Sequence, residues 1–364
     1  MSGISAQTTR KQPADGADPR LHDRGYDAVI VVSFGGPEGP EDVVPFLENV
    51  TRGRGVPRER LARVAHHYEL FGGVSPLNRQ NRELIAALEA ELAAHAIELP
   101  VFFGNRNWYP YLSDAVREMR GAGVRRALAF FTSAFSSYSG CRQYRENIYE
   151  AQTEVGPDAP EVLKLRVFHN HPGFVEANAD RVREALERLP PERRATAPVV
   201  FTAHSIPVAM SEGCRYETQL EETSRLVAEA AGVERWSVAY QSRSGSPRVP
   251  WLEPDVSDRL RELRADGVAE VVVSPVGFVS DHLEVVYDLD VEAAAVCREI
   301  GLVMVRAGTA GTHPAYVSMI RELIEERLGE GVTRRAIGRF EPGPDVCAAD
   351  CCRPGTGSPS PWER

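Results

Sequence analysis

Short β-branched or apolar runs alternate with longer amphipathic stretches along most of this chain, and no other feature restricts its fold as strongly. The runs "YDAVIVVSF" at 26–34, "PVFFGN" at 100–105 and "RRALAFFTSAF" at 125–135 are separated by the helical patterns "RELIAALEAELAAHA" at 82–96 and "LSDAVREMRGAG" at 112–123. Strands that are apolar along their whole length, each followed by a helix, predict a parallel sheet covered on both faces. The pattern starts again at "APVVFTAHS" (197–205) and continues through a long helix to about 231, then "RWSVAYQS" (235–242), "VSDRLRELRADG" (256–267) and "AEVVVSPVGF" (269–278). The repeat lies in architecture, not in residues. It predicts an α/β protein of two similar Rossmann-like, doubly wound lobes that meet near residue 190, where "LPPERRATAP" makes a linker-like break.

The expected division follows from this. Residues 1–25, polar and without periodicity, form a disordered tail; 26–188 form the first lobe and 189–312 the second. The helix "PAYVSMIRELIEERLG" (314–329) and a cysteine-bearing tail make up 313–352, expected to pack back on the first lobe, and 353–364 are again expected to be disordered. A net charge of −10 argues against a nucleic-acid backbone as partner, which requires a basic surface. The start lacks an apolar core ahead of a cleavage site, and no run reaches the 18 or so apolar residues of a transmembrane segment. A cytoplasmic location is therefore expected, where thiols stay reduced and a dense group of cysteines points to metal rather than to disulfides.

Ligands of doubly wound sheets sit at the carboxyl ends of the strands, and in a bilobal protein that places them in the cleft. His204 stands at such an end, where "APVVFTA" runs into "HSIP". After the strand "VVVSPVGF" comes "VSDHLEVVYDLDVE", in which Glu284, Asp288 and Glu292 recur every four residues. On an α-helix that row drifts about 40° per step; a local widening to i→i+5 bonding would straighten it, and such bulges favour functional sites. Oxygen ligands in a row suit the passage of a hard cation, and the same spacing suits a solvated acidic face. "YQSRSGSPRVPWLEP" (240–254) places Gln241, Ser242 and Arg243 just after a strand and reads only as a structured loop. "VVSFGGPEGPEDV" lacks G-x-G-x-x-G and a Gly-Lys-Ser ending, so it is not a nucleotide loop; "YELFGGVSPLNRQN" places Ser75 at the start of a helix open to an anion.

In order along the chain, "VVSFGGPEGPEDV", "GGVSPLNRQN", "GNRNWYP", "FTAHSIP", "YQSRSGSPRVPWLEP" and "VGFVSDHLEVVYDLDVE" resemble the ferrochelatases. The resemblance implies a porphyrin cleft between the lobes and insertion of ferrous iron as the activity, in a monomer or dimer with transient contact to the next enzyme of heme synthesis. It carries the catalytic histidine and glutamate onto His204 and Glu284, and makes these two with Asp288 and Glu292 the contacts of the iron substrate. Phe34, Tyr68, Ser75, Arg106 and Tyr144 become the porphyrin contacts; Phe34 stands where several relatives have tyrosine, so no axial oxygen comes from that position. The tail cysteines and the arginine-rich composition resemble the actinobacterial branch, which implies coproporphyrin III as substrate. Protoporphyrin IX is the alternative, followed by a cobalt chelatase of the same fold or a bilobal binding protein.

Of six cysteines, Cys297 lies on an apolar helix face and Cys214 has no metal-spaced neighbour. Cys347, Cys351 and Cys352 leave a four-thiolate site one ligand short, and Cys141, following a first-lobe strand, is the best candidate to complete it. In the resembling branch such a set binds a [2Fe-2S] cluster. Zinc also accepts four thiolates, although the adjacent pair is unusual for its ligand spacing.

Overall fold

The computed structural model describes residues 25–53, 55–244, 248–329 and 331–355; most of the expected N-terminal tail and residues 356–364 lie outside the described residues. Two four-stranded parallel sheets form its frame. The first holds β1 (Ala28–Ser33), β2 (Val101–Asn105), β3 (Arg126–Phe131) and β4 (Glu161–Lys164) in the order β2-β1-β3-β4. The second holds β5 (Val199–His204), β6 (Trp236–Gln241), β7 (Glu270–Ser274) and β8 (Val303–Arg306) in the order β6-β5-β7-β8. The two orders are the same, which is the architectural repeat anticipated from the strand–helix alternation. β1 and β3 are buried at every position, as strands covered on both faces must be. The outer strands β4 and β8 have four residues each and half-exposed or exposed positions, so their sequences carry little strand signal.

Chain direction reverses its progress across each sheet between the central strands, β1 and β3 in the first and β5 and β7 in the second. Crevices open at the carboxyl ends of strands at these reversals. The sheets do not have separate interiors. One apolar cluster runs from Val29 and Phe130 of the first sheet through Phe174 and Val182 of the helix Pro172–Glu187 to Val199 and Phe201 of the second. The last helix, Pro314–Leu328, packs on that shared helix and on Leu77–Ala94 of the first lobe, where Arg321 meets Glu91 at 2.9 Å. No helix among the described residues is long and apolar enough to cross a membrane.

Beyond the last helix the tail follows the edge of the first sheet. Lys164 donates to the Pro344 carbonyl at 3.0 Å, Ile337 N–H to the Asn170 carbonyl at 3.0 Å, and the Asn170 amide to the Phe340 carbonyl at 2.7 Å. Arg339 engages the fully buried Glu222 of the second lobe at 2.7 Å. The described chain continues through Gly355, past the expected end of the packed tail, and lies against Ala209 and Met210.

Gly277 fixes how β7 leaves the second sheet. Its N–H donates to the Thr202 carbonyl at 2.9 Å, and a Cβ there would stand 2.6 Å from Ala203 Cα, directly before His204. Backbone cannot yield as a side chain does, so Gly277→Ala is expected to cost about 1–3 kcal/mol. Differential scanning calorimetry should record a lower melting temperature; an unchanged value would mean that the strand exits are not locked together here.

Candidate active site

β5 ends at His204, and the segment after β7 brings Glu284 opposite it, so both stand at the crevice of the second sheet. His204 Nε2 lies 3.7 Å from Glu284 Oε2. Its Nδ1 lies 2.5 Å from the Ser205 carbonyl. A carbonyl only accepts, so Nδ1 carries the hydrogen and the neutral ring presents its Nε2 lone pair to the crevice and to Glu284. His282 Nδ1 stands 4.0 Å from the same glutamate oxygen; burial lowers its pKa, with Glu284 acting in the opposite direction. The sequence reading assigned this second histidine no role.

Glu284 opens a helical turn that passes into a π-helical segment, Val286–Ala293. The widening that would straighten the acidic row is therefore present. Val285, Leu289 and Ala293 hold its inner face in the second-lobe core. Of the acids in this segment, Asp281 and Asp290 are both taken up by Arg306, at 3.0 and 2.7 Å. Glu284 instead faces His204 and His282, and Asp288 accepts hydrogen bonds from Ser242 and Gln241. Burial, with Glu284 and Glu292 adding to it, raises the Asp288 carboxyl to about 7 against the lowering effect of hydrogen bonds from Ser242 and Gln241. Burial also raises Glu292, helped by Asp255 and opposed by a hydrogen bond from Tyr287. A carboxyl raised to about 7, as that of Asp288 is, can exchange a proton near neutral pH and, once ionised, accept a divalent metal.

The first lobe supplies the facing wall. Phe34, just past β1, is 37% exposed, and the Arg106 guanidinium lies 5.7 Å from its ring centroid and 4.7 Å from that of Tyr144. Arg106 is held by Asn147 Oδ1 at 2.7 Å and by the Ser139 carbonyl at 3.3 Å. Three of the sequence candidates thus form one stacked group. Tyr68 is not an open rim residue: it is buried with Phe46 and Trp108 in a cluster that also takes in Leu283, the neighbour of Glu284. Burying one leucine contributes about 1.5–3 kcal/mol, enough to pin that segment to the first-lobe wall. Ser75 is also buried, its hydroxyl facing Leu77 N–H at 3.5 Å in the first turn of the helix and its own N–H donating to the Pro37 carbonyl at 2.8 Å. His67, which sequence alone did not single out, stacks on Tyr287 at 3.7 Å between ring centroids.

The tail brings Cys347, Cys351 and Cys352 to Cys141, which is buried in a π-helical turn, Tyr138–Arg142. Their thiols are near enough to act on one another, Cys141 on Cys347, Cys347 on Cys351 and Cys351 on Cys352. The neighbouring thiols, with burial, push Cys141 and Cys351 up; neighbouring thiols, against burial, hold Cys347 and Cys352 low. Among the described residues no three His, Cys, Asp or Glu side chains already surround a common point as a metal site would. Arg142 donates to the Cys351 carbonyl at 3.1 Å and Arg145 approaches Cys351 Sγ at 3.9 Å.

Residues 26–328 match the family model described as Ferrochelatase. The chain is 56% identical to a protein named Ferrochelatase from Rhodopirellula baltica, over 90% of this chain and 93% of that one. It is 55% identical to a Coproporphyrin III ferrochelatase from Frankia alni, over 92% and 88%. Among solved structures, SirB from Bacillus subtilis with Fe3+ superposes with a TM-score of 0.54 at 11% identity, covering 83% of this chain and 96% of that one; this likeness is one of fold.

Proposed function

This chain belongs to the ferrochelatase family, and on that premise we propose that it inserts ferrous iron into coproporphyrin III to give Fe-coproporphyrin in heme synthesis. Metallation requires two pyrrole N–H protons to leave and the iron to shed its water. The observation that carries the reading is the division of the acids: Arg306 takes Asp281 and Asp290, while Glu284, the first of the row Glu284, Asp288 and Glu292, faces the imidazoles of His204 and His282. In this reading the Nε2 lone pair of His204 accepts the two pyrrole protons in turn, releasing the first to solvent before taking the second, and Glu284, 3.7 Å away, stabilises the imidazolium formed each time. Asp288 and Glu292 offer oxygen ligands to the iron substrate along the row. Phe34 and Arg106 contact the macrocycle or its carboxylates from the first lobe; Tyr144, buried in the first-lobe core beneath the Arg106 guanidinium and so not itself an open contact, holds that wall from behind together with Tyr68 and Ser75.

Coproporphyrin III is preferred because the Frankia alni relative bears that substrate in its name. Anaerobic incubation with ferrous iron, followed by absorbance, is expected to give kcat/KM at least about tenfold higher on coproporphyrin III than on protoporphyrin IX. Equal rates would remove the substrate assignment, and no metallation of either would remove the activity.

Cys141, Cys347, Cys351 and Cys352 are read as the ligands of a [2Fe-2S] cluster. The donor set supports this, four thiols drawn from two distant parts of the chain and near enough to shift one another's titration. When bound, the cluster supplies a covalent tie between tail and first lobe.

A further inference from the structure

Gln241 and Ser242, at the carboxyl end of β6, touch both halves of the site. Ser242 is one of three non-glycine residues with positive φ among the described residues, at 62°. A side chain makes this left-handed conformation unfavourable, and it persists only where surroundings impose it. Here it turns the Ser242 hydroxyl onto Asp288, donating to Oδ2, and the Gln241 amide donates to the same oxygen at 3.3 Å. With its nitrogen committed, the buried Gln241 keeps an Oε1 without a partner among the described residues, an arrangement that costs stability. The backbone of Gln241 serves the other half: it pairs with His204 across the sheet, and its carbonyl accepts from Ser205 N–H at 2.8 Å. Ser205 in turn orients the His204 ring through its own carbonyl.

We infer that Gln241 and Ser242 are positioning residues for iron delivery, clamping one oxygen of Asp288 so that the other faces the metal at a fixed distance from His204. This rests on the reading of Glu284, Asp288 and Glu292 as the iron row. Two features of the dipeptide, its unfavourable backbone and its orphaned acceptor, find a purpose in that clamp.

Anaerobic steady-state assays with iron and porphyrin varied separately test it in Ser242→Ala, Ser242→Gly, Ser242→Asn, Asp288→Asn and the Ser242→Gly/Asp288→Asn double variant. Ser242→Ala and Ser242→Gly are expected to raise KM for ferrous iron by about tenfold, the effect of losing one hydrogen bond to a charged group, with KM for porphyrin nearly unchanged. Glycine keeps the left-handed backbone without strain, so its defect isolates the hydroxyl from any folding fault in the alanine variant. Asparagine tolerates the same conformation and can donate, and should restore part of the loss. In Asp288→Asn the further Ser242→Gly change is expected to add little. Wild-type iron KM in Ser242→Gly, or effects of Ser242→Gly and Asp288→Asn that multiply, would overturn the clamp. Unchanged iron KM in Asp288→Asn would instead bring down the iron row itself, and the clamp with it.

Discussion

Replacing Glu284 with glutamine is expected to lower the rate of iron insertion by about 10²- to 10⁴-fold, the usual range for a lost proton-transfer or charge-stabilising group. Porphyrin binding, read by fluorescence quenching, should remain near wild type. The amide keeps the shape and some hydrogen bonding of the carboxylate but removes its charge, which His204 faces at 3.7 Å. A His204 ring fixed at Nδ1 by the Ser205 carbonyl has only Nε2 with which to take a proton, and the imidazolium so formed would have lost its partner. Asp281→Asn is the matched control. It removes a carboxylate three residues away that pairs with Arg306 at 3.0 Å rather than facing the crevice, so it should touch stability more than rate. If Glu284→Gln metallates porphyrin normally, or if both variants lose rate equally, Glu284 has no special part in the chemistry.

That contrast between neighbouring acids shows where sequence reading stops. Periodicity placed His204 at a strand end and Glu284, Asp288 and Glu292 in a row, because both depend only on local spacing, and the π-helical segment Val286–Ala293 answers the misfit of a four-residue repeat with an α-helix. Nothing local separates Asp281 and Asp290 from that row. Their partner, Arg306, ends an edge strand of four residues too short to stand out. Gln241 and Ser242 were visible only as residues after a strand, since the hydroxyl reaches Asp288 through a backbone conformation that serine does not advertise. Tyr68 misled in the other direction. The family resemblance made it a porphyrin contact, whereas Phe46, Trp108 and Leu283 close over it, a packing assembled from distant segments.

The tail poses the same problem in a form that colour can decide. Serine at any one of Cys141, Cys347, Cys351 or Cys352 is expected to abolish the visible absorption of the purified protein and to remove most of its iron and acid-labile sulfide, because serine does not replace a thiolate at such a cluster. Cys214→Ser should leave both intact: although its charge would be felt at Cys352, its thiol is committed to the carbonyls of Met210 and Ser211 at 3.3 and 3.4 Å. The loss should also be local. Residues 337–344 are fastened by Asn170, Lys164 and Glu222 without help from any cysteine. Past them, the tail is held by short-range contacts with side chains and backbone at its margin, from Arg334 to Asp345, from Arg142 and Arg145 to Cys351 and from Ala209 to Gly355, rather than by pairing with a strand. Hydrogen exchange in the cluster-free variants should therefore rise sharply over 346–355 and little over 337–344. A colourless wild-type protein containing zinc would replace the cluster with another metal, and a coloured Cys141→Ser protein would show that the fourth ligand lies elsewhere.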